Sequence, residues 1–84
     1  MHTFRDIISL WPTVTAMASD VGVGERTGFS WWQRDSIPSD RFASVVRAAA
    51  RRGYIGVTAD ALAIIAERRR IGRDGHPDND MAAA

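Results

Sequence analysis

Prolines and glycines cut this chain into short segments, and the segments between them carry helical periodicity. Phe4, Ile7, Ile8 and Trp11 fall at i, i+3, i+4 and i+7. That spacing predicts a first helix with one apolar face, ended by Pro12, whose ring disfavours helical geometry in the residue before it. Thr13 reads as the N-cap of a second helix, whose inner face is Val14, Met17, Ala18 and Val21. Gly22 stops it, because glycine enters the left-handed C-cap region without penalty. A third helix is expected over residues 24–34, broken by Ser36-Ile37-Pro38. Pro38 or Ser39 opens a fourth, with Phe42, Val45, Val46 and Ala49 inward and Gly53 at its end. Arg51 and Arg52 suit its C-terminal dipole. Thr58 caps a fifth, "ADALAIIAERRR". No segment alternates as a strand would, so the expected fold is all-α, a compact five-helix bundle.

Eighty-four residues make a single domain, here expected over 1–72. From 73 to 84 the chain is rich in Gly, Asp, Asn and Pro without apolar period, and reads as a disordered tail. With no cysteine, disulfides and thiolate metal sites are excluded. No run approaches a membrane span, and the N-terminus lacks the features of a signal peptide, so the expected location is the cytoplasm. All eleven basic residues are arginine. Residues 1–73 set eleven arginines against seven acids, a net +4. Arginine-only usage suits bidentate recognition of phosphate or guanine, and it also follows from a GC-rich genome.

The stretch "DVGVGERTGFSWWQRDSIP", residues 20–38, contains Gly22, Gly24 and Gly28. It does not make a nucleotide loop. The spacing is G-x-G-x-x-x-G, a helix rather than a strand precedes it, and no acid follows on a second strand. A tight turn between two helices fits each residue. Ala18 is small because the next helix crosses close over it, and Gly22 supplies the turn's positive φ. Val21 and Val23 fill the angle between the helices, and Trp31 anchors the second helix in the core. This is the outline of a helix-turn-helix.

The run "MASDVGVGERTGFSWWQRDSIP" resembles the helix-turn-helix of the Cro and phage-repressor class, and in particular small Cro-like regulators of bacteria and prophages. The resemblance covers roughly residues 3 to 70. It implies a lambda-repressor-like bundle that binds double-stranded operator DNA as a homodimer and represses or activates transcription, with a nucleoid address. One departure is Gly28, where the family often carries Val, Ile or Ala. A mid-helix glycine costs about 1 kcal/mol against alanine. Either this helix is less rigid, or something approaches its backbone closely.

With Trp31 at the inner pole, Gly24, Thr27 and Gly28 lie near it on the helical wheel, facing the core. Glu25, Arg26, Phe29, Ser30 and Gln33 lie opposite, on the face a recognition helix turns to the major groove. Arg26 can fork onto guanine, Glu25 can accept from the cytosine amino group, and Gln33 can read adenine or contact a phosphate. Phe29 meets a thymine methyl or packs on Trp32, while Ser30 is short and adaptable. Trp32 is expected to pack on the fourth helix. Thr13, Thr27, Arg34 and Arg41 are the candidate phosphate contacts, Thr13 because helix N-termini attract anions. For Arg34 and Arg41 the competing reading is a solvated surface arginine or a pair with Asp35 or Asp40. The Arg68-Arg69-Arg70 run reads as a solvated helix end.

The only histidines, His2 and His76, share no helix face, and no metal, cofactor or catalytic constellation is expected. The fifth helix is apolar on more than one face, so either a small core wraps it or a second subunit covers one side, with Ile64 and Ile71 as candidates for that dimer interface. Two other readings compete with DNA binding. One is an interaction module that keeps this fold and docks a protein partner at Phe29. The other is an antitoxin that binds both its own promoter and a toxin, the Gly-Asp tail folding on the toxin.

Overall fold

The structure is a computed structural model that describes residues 2–74, with side chains through Arg69. Helices α1 (Phe4–Ile8), α2 (Val14–Val21), α3 (Glu25–Arg34), α4 (Phe42–Arg51) and α5 (Ala59–Asp74) follow one another, with a 3-10 turn at Ser39–Arg41 before α4. The described residues contain no strand. They surround one core: Phe4, Ile7, Ile8 and Trp11 from the N-terminal segment, Met17 from α2, Trp31 from α3, Val45 from α4 and Leu62 from α5 are all buried.

Three helix starts are capped by threonine. Thr3 and Asp6 form a capping box on α1, in which the Thr3 hydroxyl accepts from the Asp6 N–H and the Asp6 carboxylate accepts from the Thr3 N–H. Thr13 caps α2 through the Ala16 N–H at 3.0 Å, and Thr58 caps α5 through the Ala61 N–H at 3.0 Å. Gly22 ends α2 at φ 91°, and Gly53 follows α4 at φ 76°.

The boundaries differ from the sequence reading in three places. α1 stops at Ile8, before Trp11, because the Ser9 hydroxyl bonds the Arg5 carbonyl at 2.7 Å and the next N–H groups make i→i−3 bonds. Trp11 still reaches the core from this turn. The inner face of α4 centres on Val45, Ala48 and Ala49, leaving Phe42 and Val46 half-buried. α5 runs two residues past the expected domain end at 72, and the rest of the expected tail, 75–84, lies outside the described residues.

Asp20, near the end of α2, ties three elements together. Its carboxylate accepts from the Trp11 indole N–H at 2.9 Å and from Arg52 Nε at 2.5 Å. Arg51 donates to the Asp20 carbonyl at 2.9 Å, so cations from the end of α4 cover the negative end of α2. Trp11 in turn packs edge-on against Tyr54, ring centroids 5.1 Å apart.

The Arg52 guanidinium, and then the Trp11 N–H, hold the Asp20 carboxyl below its ordinary value of 3.8. A depressed native pKa adds stability above the unfolded value and loses it as pH falls through the native one. Asp20→Asn is therefore expected to unfold at lower urea than the wild type at neutral pH. The gap closes as pH drops below 3.8, a comparison that tryptophan fluorescence reads directly. A gap that stays constant down to the acid limb would contradict the assignment.

Candidate nucleic-acid interface

Gly28 decides how α3 sits. A Cβ built on it would lie 2.9 Å from the Ala18 Cβ and 3.3 Å from Val14 Cγ1. The two helices therefore touch through backbone and a methyl, and α3 has no freedom to roll. Of the two readings of Gly28, close approach is the one the geometry bears out. The turn between the helices is held by the Val23 N–H on the Ala18 carbonyl at 2.9 Å. Val21 is buried beside it, and Val23 half-buried. Trp31, one turn on from Gly28 and 2% exposed, is the only other fully buried residue of α3.

Arginines from two other helices hold the far end of α3. Arg5 Nε donates to the Trp32 carbonyl at 2.7 Å and its Nη2 to the Gln33 carbonyl at 2.9 Å. Arg69 donates to the Arg34 carbonyl at 2.8 Å. Three consecutive carbonyls of the C-terminus are thus met by cations, which also suits the helix dipole. Asp35 closes the helix in the left-handed region, φ 51°, and its carboxylate accepts from the Arg5 N–H at 3.0 Å. Arg5 and Asp35 so cap each other's helices. The sequence reading missed both Arg5 and Arg69. The signal for Asp35 was present, as Asp tolerates the left-handed region better than most residues.

With both ends fixed, Glu25, Arg26, Phe29 and Gln33 are exposed along the outer face of α3, Phe29 at 42%. Ser30 is half-buried at the edge of that face. Glu25 is braced, accepting from the Thr15 hydroxyl at 2.9 Å, which links the first turn of α3 to α2. No aromatic ring pairs with Phe29 among the described residues, so its packing on Trp32 is not realised. Trp32 does not settle on α4 as expected. It is half-buried toward α1, where the Arg5 guanidinium lies 5.7 Å from the ring centroid and the α1–α2 connection lines the adjoining hollow. Arg5 draws it there by binding its carbonyl and its ring at once.

Thr13 is exposed at the N-terminus of α2. Gly24 and Thr27 are exposed, not turned to the core, because α2 packs on the Gly28 side and leaves that side of the first turn of α3 open. Among the described residues, no hydrogen bond or ion pair engages the side chains of Arg26, Arg34 or Arg41, so their pairing with Asp35 or Asp40 is not formed. Arg69, read as part of a solvated run, serves α3 instead, and Arg68 lies 3.3 Å from the His2 ring. Ile64 is 52% exposed on α5, and the side chain of Ile71 lies outside the described residues.

The described residues include no cluster of three or more His, Cys, Asp or Glu able to hold a metal, and no helix long and apolar enough to cross a membrane. Comparison of the chain with family models, curated proteins and solved structures gives no match.

Gly28→Ala tests how α3 is fixed. Helix propensity favours the alanine by about 1 kcal/mol, but overpacking against a methyl that cannot move aside costs about 1–3 kcal/mol. The variant is expected to unfold at lower urea than the wild type, and Ala18→Gly in the same chain to recover part of the loss. A more stable Gly28→Ala would contradict the close crossing.

Proposed function

We propose that α2 and α3 form a helix-turn-helix and that the protein is a sequence-specific, double-stranded-DNA-binding regulator of transcription. The observation that carries this reading is the outer face of α3. It offers Arg26, Gln33 and a braced Glu25 on a helix fixed at both ends, beside the uncommitted guanidinium of Arg34. A groove-reading helix needs this combination, because side chains read base edges only when the helix beneath them is held in register.

In this reading α3 enters the major groove N-terminus first. Arg26 forks onto O6 and N7 of guanine, a pair that gives about 1–3 kcal/mol of discrimination. Glu25 keeps one oxygen on Thr15 and turns the other to a cytosine amino group. Gln33 reads adenine, Ser30 makes short adaptable contacts, and Phe29 covers a thymine methyl. Thr13 at the N-terminus of α2, with Thr27, Arg34 and Arg41 around the groove, holds phosphates and sets the register. The protein acts as a homodimer on a two-fold operator, the two α3 helices about 34 Å apart. Its place of action is the nucleoid.

Fluorescence anisotropy with a mixed-sequence duplex tests this reading. Binding at low salt is expected to weaken steeply as salt rises. Arg34→Gln and Arg41→Gln should each lower the slope of log K against log salt by about 0.9, one phosphate contact apiece. No binding by folded protein at low salt, or a slope unchanged in both variants, would contradict it.

A further inference from the structure

A hollow of about 190 Å³ opens between the connection from α3 to α4 and the side of α5. Its apolar part is made by Phe4 and Ile37, both buried, and by the half-buried Ala66 and Phe42. The Phe4 and Phe42 rings lie 6.0 Å apart, tilted by 38°. Ser36 and Ser39 line the same hollow, and neither hydroxyl has a hydrogen-bond partner among the described residues. Ser36 is half-buried, so water reaches that hydroxyl only in part. The one charged residue in the lining is Arg69. Its Nη2 donates to the Arg34 carbonyl at 2.8 Å. That bond uses a single N–H of a planar fork, which leaves one complete edge of the guanidinium for a bidentate acceptor. The acids of this region, Asp35 and Glu67, line neighbouring hollows instead.

We propose that this hollow binds a small monocyclic aromatic carboxylate, with the carboxylate on Arg69 and the ring against Phe4 and Phe42. Each part of the lining selects one part of such a ligand. The lone cation sets the sign of the charge, and the guanidinium fork matches the two oxygens of a carboxylate. The hydroxyls of Ser36 and Ser39 donate to the oxygen lone pairs that the fork leaves over. An inorganic anion would leave the apolar part wet, whereas a flat ring packs on the two phenylalanines by edge or offset face. Size agrees as well. An apolar cavity of about 150 Å³ is enough for benzene, and the 190 Å³ here leaves room for a carboxylate beside the ring. A few convergent polar groups on an apolar lining are the usual make-up of a small-molecule site. The site stands whether or not α3 meets DNA.

The test is a nuclear magnetic resonance titration of the full, isotope-labelled chain with sodium benzoate at constant ionic strength and without DNA. Amide shifts of Ser36, Ser39 and Phe42 are expected to move and saturate, with a Kd on the order of 1 mM for so small a ligand. Benzamide, with the ring but no charge, and acetate, with the charge but no ring, should each bind about tenfold more weakly. Arg69→Gln keeps an N–H donor for the Arg34 carbonyl and loses the charge. It should weaken benzoate about tenfold and leave benzamide unchanged. Ala66→Leu fills the hollow and should abolish binding of both, with the wild-type helical circular dichroism. Absence of a saturable shift with benzoate overturns the proposal. So does benzamide or acetate binding as tightly as benzoate, or an Arg69→Gln variant that binds benzoate as the wild type does.

Discussion

The contact between Ala18 and Gly28 is the constraint on which the rest depends. The two helices approach until a single added Cβ would lie 2.9 Å from its neighbour. At that distance only one rotation of α3 is allowed. It sends Trp31 into the core and turns Glu25, Arg26, Phe29 and Gln33 outward. The glycine's cost in helix propensity is the counterpart of that fixed rotation. A side chain at position 28 would push α3 away from α2 and loosen the alignment of every residue on its outer face.

Arginine does two kinds of work in this chain. Arg5 and Arg69 bind the last carbonyls of α3, and Arg51 and Arg52 bind the backbone and carboxylate of Asp20 at the end of α2. A guanidinium suits these places, since it offers several donors in a fixed plane and keeps its charge at any working pH. The side chains of Arg26, Arg34 and Arg41 form no hydrogen bond or ion pair among the described residues, and the proposed reading assigns them to phosphate or guanine. The net +4 read from residues 1–73 is therefore partly spent within the fold.

Much of the fold was legible in the sequence because it rests on local rules. Thr13, Thr58, Gly22 and Gly53 mark helix ends by their own hydrogen-bonding and backbone chemistry, and the structure places them there. Ala18 and Gly28 could be read as a close crossing because two small residues stand where a helical pattern wants larger ones. What the sequence concealed is long-range. Arg5 reaches residues 32 and 33, and Arg69 reaches residue 34, across separations that no periodicity encodes. Trp32 went to α1 instead of α4 for the same reason, since its partner Arg5 is 27 residues away. Thr27 shows how a helical wheel misleads at a first turn: its angle faces the core, but its side chain is exposed.

The central claim is that the outer face of α3 reads base sequence, with Arg26 at a guanine. Selection of bound duplexes from random DNA, with the wild type and Arg26→Ala in parallel, tests it most directly. The account predicts an enriched motif with two-fold symmetry and a guanine position whose preference disappears in the variant. Failure of folded wild-type protein to enrich any sequence at low salt, or an identical motif from both proteins, would contradict it.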